Sequence, residues 1–446
     1  MAVKKDALID AIRASYLANI TKQNIQPKID IALSGGCDSM VLMYALNQLK
    51  DELKLSIKAH YIHHGLSAYA DEWLAFCEAA CRKLNIPFDS MRVDTNTLPS
   101  LGIEGAARKL RYEALAQLSV GVIATAHHEN DQAETLLLQL IRGAGLKGLA
   151  AMPEYDKEKN LWRPLLSVRR QVIEDFAETH GIAFIEDDSN EDTRFDRNFL
   201  RKDILPQLYE RFPHAANTIA RSAKLIASGL DLHQSIAESD SESYFSKDLA
   251  RLNLMMMRDL NQERVINLIR WWLEKHRYKM PTLKVMQEAY KQIKDRRKDA
   301  QINIQIAPNV SIRAYKNELW LVENVTNAAD FEIYWRGEDT ITLPDASKLS
   351  FTKTIGDGIS VDKLGTQTIR IQNRRGGERF KPAANQPTRT LKHLLQQSPL
   401  APWEREILPM LFLEDQLIAV PHFGVHCNFQ AKKYEESYQI SWLRDI

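Results

Sequence analysis

Six residues, Ser34-Gly35-Gly36-Cys37-Asp38-Ser39, place two hydroxyls, two adjacent glycines and a carboxylate between an apolar run and an amphipathic one. Such a set handles phosphate. Paired glycines let the backbone turn sharply and bring its N–H groups up to an anion, and a helix beginning near Met40 directs its positive end at the same spot. The Lys-Ser/Thr ending of a Walker A loop is absent, and Asp38 stands in its place. An anion site that carries its own carboxylate calls for a cation, so Asp38 is the expected contact for Mg2+ shared with phosphate oxygens.

A second constellation, His127-His128-Glu129-Asn130-Asp131-Gln132-Ala133-Glu134-Thr135, opens an apolar helix that runs from Leu136 to Ile141. Asp131 and Glu134, three residues apart, share a helix face, with the histidines one turn upstream. This polar cluster suits the orientation of an amine and proton transfer. A zinc site is a poorer reading, because adjacent histidines point apart along a helix. Arg108 and Arg111 fall on one face of the Ile103–Tyr112 helix, where they could hold a phosphate or carboxylate or simply be solvated. Gly143-Ala144-Gly145-Leu146-Lys147-Gly148 matches the dinucleotide fingerprint letter for letter but follows a helix rather than a strand, so a flexible loop closing over the nucleotide is the better reading.

These residues need a frame. Strand-like runs recur at Ile29–Leu33, Ile57–Ile62, Phe88–Val93 and Val120–Ala124 with helical patterns between them, and Ile182–Ile185 reads as another strand. Alternating strands and helices imply an α/β fold with a doubly wound parallel sheet, whose ligands collect at the carboxyl ends of the strands. Each chemical motif follows such a run. The first domain is expected to span residues 1–213. Long helical patterns then fill 214–325, a mainly helical middle domain, and a small α/β C-terminal domain is expected over 345–446.

The chain has 446 residues, 44% of them hydrophobic and 26% charged, with a formal net charge of +1. That length accommodates two to four domains of about 100–200 residues. No apolar window approaches the roughly 18 residues of a membrane span, and charge interrupts the first ten residues, so the chain reads as cytosolic with no membrane association. Cys37, Cys77, Cys81 and Cys427 form no Cys-x-x-Cys pair, as suits a reduced compartment, and Cys77 and Cys81 read as buried core thiols. Near-zero net charge does not advertise nucleic-acid binding, yet Arg370 to Arg405 holds eight Lys/Arg against two Glu. That local surplus is a plausible phosphate footprint.

The loop resembles the pyrophosphate loop of N-type ATP pyrophosphatases, which cleave ATP to AMP and pyrophosphate while adenylating a carbonyl oxygen. Four further motifs follow in order: His127-His128-x-x-Asp131-x-Ala133-Glu134-Thr135, Gly145-Leu146-x-Gly148, Glu186-Asp187-Asp188-Ser189-Asn190 and Arg197-Asn198-Phe199-Leu200-Arg201. With Arg375-Gly376-Gly377-Glu378-Arg379-Phe380, Leu391-Lys392-His393-Leu394-Leu395 and Pro402-Trp403-Glu404-Arg405, the set is similar to the tRNA(Ile)-lysidine synthetase family. One departure is Asp188, where the family more often has proline.

The resemblance implies a ligase that uses ATP to adenylate the wobble cytidine of the CAU anticodon of tRNA(Ile). Free L-lysine then displaces AMP, giving lysidine and converting AUG reading to AUA. By position, Ser34, Gly35, Gly36, Cys37, Asp38 and Ser39 bind ATP, with Asp38 also as catalytic residue and metal contact. Asp131 and Glu134 take the lysine ammonium; His127 and Arg111 contact the activated base or its phosphates. Arg197, Asn198 and Arg201 are expected on the anticodon stem-loop, and Arg374, Arg375, Arg379 and Lys392 on the acceptor arm. A tRNA thiolase of the same class and a non-catalytic tRNA-binding protein are the rival readings. Oligomeric state is left open, a homodimer included.

Overall fold

The computed structural model describes residues 6–21, 28–65, 67, 69–94, 102–186, 192–246, 251–257, 259–295, 302–323 and 330–443. The Asp187 to Asn190 motif lies outside them. The chain divides into two compact units, Met1–His233 and Gln234–Ile446.

In the first unit, α1 (Ala7–Asn19), β1 (Lys28–Ala32), α2 (Cys37–Leu49), β2 (Ser56–His63), α3 (Ala70–Lys83), β3 (Phe88–Arg92), α4 (Gly102–Leu118) and β4 (Val122–Ala124) alternate. They are followed by α5 (Glu129–Ile141), α6 (Leu146–Leu149), β5 (Tyr155–Asp156), β6 (Leu161–Trp162) and α7 (Arg170–Thr179). The sheet order is β3-β2-β1-β4-β6-β5, with β5 alone antiparallel to its neighbour. Strand order reverses direction between β1 and β4, and ligands bind α/β sheets at such a switch point. The loop at Ser34 and the segment from Thr125 to His128 leave the sheet on its two sides. Apolar cores cover both faces, one holding Leu8, Ile12, Leu42 and Phe176, the other Ile62, Leu115, Ile123 and Leu161.

A buried polar network and a close backbone approach hold this sheet together. Asp30, buried in the middle of β1, takes His60 Nε2 at 2.8 Å on one oxygen. Its other oxygen accepts Ser119 Oγ at 2.7 Å and the amides of Val120 and Gly121 at 3.0 and 2.7 Å. A buried carboxylate is tolerable only with such a full set of donors, and this one fastens the turn entering β4 to the central strand. The turn also presses against β1, where a Cβ on Gly121 would lie 2.2 Å from the Lys28 carbonyl oxygen. No other residue fits there.

The expected strand over Ile182–Ile185 is not a strand. This stretch runs beside the Ser34–Ser39 loop instead, and Ile185 N donates to Gly35 O at 2.9 Å. Its apolar residues, which suggested a sheet, buttress the loop. The sheet's outer positions go to β6 and β5, in which the fully buried Trp162 donates its indole N–H to Ser15 Oγ at 2.9 Å. The unit continues through α8 (Asp196–Phe199), a π-helical turn (Leu200–Ile204) and α9 (Leu205–Arg211) into α10 (Ala215–Tyr244), which ends in the second unit.

The second unit has more strand than the helical pattern suggested. Helices α12 (Gln262–Lys275) and α13 (Leu283–Lys294), preceded by β7 (Arg251–Asn253) and α11 (Leu254–Met257), pack with an antiparallel sheet completed by β8 (Asn303–Ala307), β9 (Val310–Tyr315) and β10 (Glu318–Glu323). From Glu332 the chain forms two larger antiparallel sheets and a two-stranded one. One of the larger sheets contains β11 (Glu332–Trp335), the other β12 (Thr340–Thr342), and the long pair β13 (Lys348–Ile355) and β21 (Glu436–Leu443) belongs to the second. The Pro402-Trp403-Glu404-Arg405 motif ties this region to β9 and β10. Trp403 meets Tyr315 and Trp320 edge-on at 6.3 and 6.1 Å, and Arg405 donates to the Tyr315 hydroxyl at 2.8 Å. Among the described residues no helix is long and apolar enough to cross a membrane.

Candidate active site

The Ser34–Ser39 loop is shaped by its own serines. Ser39 Oγ donates to Gly36 O at 3.0 Å and accepts the Ser34 amide at 3.2 Å, while Ser34 Oγ lies 3.1 Å away. Both hydroxyls are therefore engaged within the loop, which leaves backbone amides as the main anion donors. Gly35 has φ +86°, and a Cβ there would meet Ile185 Cδ1 at 3.0 Å and Cys77 Sγ at 3.2 Å. Left-handed backbone and lack of room both demand glycine. Helix α2 starts at Cys37, with Gly36 extended before it, so its unpaired amides face the loop.

Asp38 sits in the first turn of α2. Its Oδ1 is screened from solvent and accepts no hydrogen bond, and its Oδ2 lies 3.6 Å from His128 Nε2. An orphaned carboxylate oxygen beside an anion cradle fits a cation, whose protein ligands would be supplemented by phosphate oxygens. Among the described residues no three His, Cys, Asp or Glu side chains cluster closely enough to hold a metal by themselves.

His128 joins this loop to the second constellation. It caps α5, its Nδ1 accepting the Asn130 amide at 3.2 Å, while Asp131 Oδ2 accepts the His128 amide at 2.9 Å. The same imidazole stands 3.5 Å from Asp131 Oδ2. Burial opposes its charge, but Asp131 and Asp38 outweigh burial and raise its pKa above the ordinary value.

Asp131 and Glu134 share a face of α5, and the structure brings both arginines of the Arg197–Arg201 motif onto them. Arg197 donates to Glu134 at 2.6 Å and to Asp131 at 2.7 Å; Arg201 donates to Glu134 at 2.6 and 2.9 Å and to Asp131 at 3.2 Å. Glu134 is 1% exposed and Asp131 7%. Burial works against ionisation of Asp131, yet His128 and Arg197 more than compensate and hold its carboxyl well below the usual range. Two carboxylates and two guanidiniums in one cleft make a receptor for a zwitterion. Asn198 instead donates to the Asp192 carbonyl at 3.0 Å.

His127 faces the other way, its Nδ1 2.8 Å from Thr125 Oγ1. Burial pushes its pKa down to about 3, with Arg163 and Arg197 adding to the effect, so the ring is neutral near pH 7. The linkage has a definite sign. Below about pH 6.5 the unfolded histidine takes up a proton that the folded one refuses, so stability falls as pH drops toward about 3. Across that window the wild-type melting temperature should decline more than that of a His127→Gln variant. Superimposable pH profiles would contradict this environment for His127.

Arg108 and Arg111 lie against the Tyr112 ring, 5.7 and 5.6 Å from its centre. The Gly143–Gly148 stretch holds a short helix, α6, capped by Gly145, rather than an open loop. In the second unit the local surplus of charge is partly spent. Arg374 lies 3.6 Å from Glu378, and Arg375 3.8 Å from Glu332. Arg379 and Lys392 are exposed on β16 (Arg379–Phe380) and α15 (Leu391–Gln397), without an acid in ion-pair range among the described residues. His128 as the bridge, and Arg163 and Tyr112 beside Arg111, were not singled out from sequence; a helix-capping position is the only local signal His128 offers.

Comparison with known proteins agrees along the whole chain. A PP-loop domain model matches residues 10–208, a TilS substrate binding domain model 252–320 and a TilS substrate C-terminal domain model 369–442. The chain is 36% identical over 451 residues to the tRNA(Ile)-lysidine synthase of Nitrosomonas europaea, covering 99% of this chain and 98% of that one. It is 37% identical over 417 residues to the tRNA(Ile)-lysidine synthase of Coxiella burnetii, covering 92% of each. For the tRNA(Ile)-lysidine synthase of Edwardsiella ictaluri the identity is 33% over 432 residues, covering 93% and 95%.

Proposed function

This chain belongs to the tRNA(Ile)-lysidine synthase family, and from that premise we propose how its residues divide the work. The protein is a ligase that forms lysidine on tRNA(Ile) using ATP. The observation that carries the assignment of roles is the unbroken run of polar contacts from Asp38 through His128 to Asp131, Glu134, Arg197 and Arg201.

The phosphates of ATP rest on the loop amides and the start of α2. Asp38 would hold Mg2+ there, and the ion would supply charge neutralisation for the departing pyrophosphate. The carbonyl oxygen of the wobble cytosine attacks the α-phosphorus; an oxygen–phosphorus bond forms and the bond to the β-phosphate bridge breaks. His127, neutral, faces the activated base with Arg111. Lysine lies across the second constellation, its amine toward Asp131 and Glu134 and its carboxylate toward Arg197 and Arg201. The nearby guanidiniums lower the ammonium's pKa, and its proton passes to solvent water. The free amine bonds to C2 of the base, and the C2–oxygen bond breaks, with AMP carrying the oxygen away. Dividing the displacement this way replaces a poor leaving group by a good one. Arg379 and Lys392, supported by Arg374 and Arg375, contact the tRNA acceptor arm.

Incubation with ATP, radiolabelled lysine and either tRNA(Ile) carrying a CAU anticodon or methionine tRNA tests the assignment. Label on the isoleucine tRNA alone is expected; label on neither or on both overturns it. Sulfur transfer is disfavoured by the thiols themselves. Burial pushes Cys37 up to about 11 and Cys77 up to about 12, so neither supplies a thiolate near pH 7. Cys37→Ala should therefore keep lysidine formation within about twofold, since the loop uses its backbone amide. Loss of activity in that variant would assign the sulfur a chemical role.

A further inference from the structure

Three arginines gather around one tyrosine at the edge of the site. Arg163 follows β6 directly and is 4% exposed, fastened by a hydrogen bond from its guanidinium to Pro153 O at 2.7 Å and by its amide to Glu154 O at 2.8 Å. Its Nε and the Tyr112 hydroxyl are screened from solvent and make no hydrogen bond of good geometry among the described residues, the hydroxyl lying close to the Arg111 and Arg163 guanidiniums. Arg108 and Arg111 approach the face of the same tyrosine at 5.7 and 5.6 Å. None of the three arginines has a carboxylate in ion-pair range among the described residues.

Gathering like charges in a partly desolvated cleft is unfavourable unless an anion completes it. Burial holds Arg111 and Arg163 below their ordinary pKa, and the Tyr112 phenol, although burial opposes this, is drawn down by Arg111, Arg108 and Arg163. Arginine forks with an idle N–H, next to an idle phenol, match the several acceptor oxygens of a phosphate.

Position separates this seat from the ATP phosphates. Across the carboxyl edge of the sheet the order is β1, β4, β6. At about 4.8 Å per strand, the end of β6 stands roughly 10 Å from the end of β1, where the loop begins. Between them, after β4, comes His127. If the target base lies beside His127, the β6 end is where its backbone phosphate can rest without meeting the loop.

We infer that Arg163, Arg111 and the Tyr112 hydroxyl, with Arg108 at the rim, seat an RNA backbone phosphate adjoining the target base. This rests on the proposed assignment of a tRNA base as acceptor. The seat holds the nucleotide by its backbone, so that the base is presented by position rather than by hydrogen bonds to its edge.

Binding of a CAU anticodon stem-loop to the full chain, measured across a salt series, tests the seat in Arg163→Gln and Tyr112→Phe. Tyr112→Phe keeps the ring and removes one hydroxyl, so it reports even if Arg163→Gln folds poorly. For Arg163→Gln the stem-loop Kd should rise about tenfold and the salt slope should fall by about one. For Tyr112→Phe the Kd should rise severalfold, and ATP affinity should stay within twofold in both. Unchanged stem-loop binding overturns the seat, as does an equal loss of ATP affinity or an effect confined to KM for lysine. Failure of the wild type to label tRNA(Ile) would count against the acceptor assignment instead, and is read separately.

Discussion

Asp131→Asn should lower lysine transfer on the order of a thousandfold while tRNA-dependent ATP–pyrophosphate exchange stays within about tenfold of wild type. The split follows from geometry. Asp131 Oδ1 faces Arg197 and Arg201, and Oδ2 faces the amide and ring of His128. An asparagine carbonyl can still cap the His128 amide, so α5 keeps its start. What disappears is the negative charge on which an ammonium must be held. Glu134 continues to face both guanidiniums, which limits the loss of stability to about 1–3 kcal/mol. Removing one partner of an isolated buried pair would cost more. Transfer within tenfold of wild type would remove Asp131 from lysine binding. Parallel loss of exchange and transfer would place it in the adenylation step.

Asp38→Asn should have the opposite signature, a fall in ATP–pyrophosphate exchange of about a hundredfold to a thousandfold with only a small drop in melting temperature. In the absence of nucleotide, Asp38 Oδ1 makes no hydrogen bond and receives no cationic side chain. The carboxylate's contribution to folding therefore runs through Oδ2 and His128 alone, while Oδ1 is left for what it will bind. His128 provides a second readout, because its raised pKa depends on Asp38 as well as Asp131 and should move down in the variant. Exchange within severalfold of wild type, measured at saturating Mg2+, would show that the loop amides hold ATP without this carboxylate.

The parts of this site that sequence exposes are those encoded by neighbours along the chain. The Ser34–Ser39 loop announces itself because glycine pairs and a strand-to-helix switch are local events, and Asp131 and Glu134 share a face by helical spacing alone. The pairing of Arg197 and Arg201 with those carboxylates spans 63 to 70 residues and leaves no periodic trace. Arg163 carries no local signal for a related reason. The strand that places it has two residues, Leu161–Trp162, too short for any alternation to show. Ile182–Ile185 reads as a strand because apolar residues that press on a loop look the same in sequence as those that enter a sheet. Counting charges along Arg370–Arg405 could not reveal that Glu332, far upstream, lies near Arg370 and Arg375.

Arg197 and Arg201 reach the same carboxylate pair from opposite sides of the junction where α8 gives way to the π-helical turn at Leu200–Ile204. A π turn contains one more residue than the α turn it replaces. The convergence is thus a matter of angular phase. Winding the same residues as an ordinary α-helix, without the π turn, would rotate Arg197 by about 100° relative to α9, carrying its charge off the cleft with every residue type retained. Two chains identical in composition at the site could therefore differ completely in chemistry through the length of a single turn.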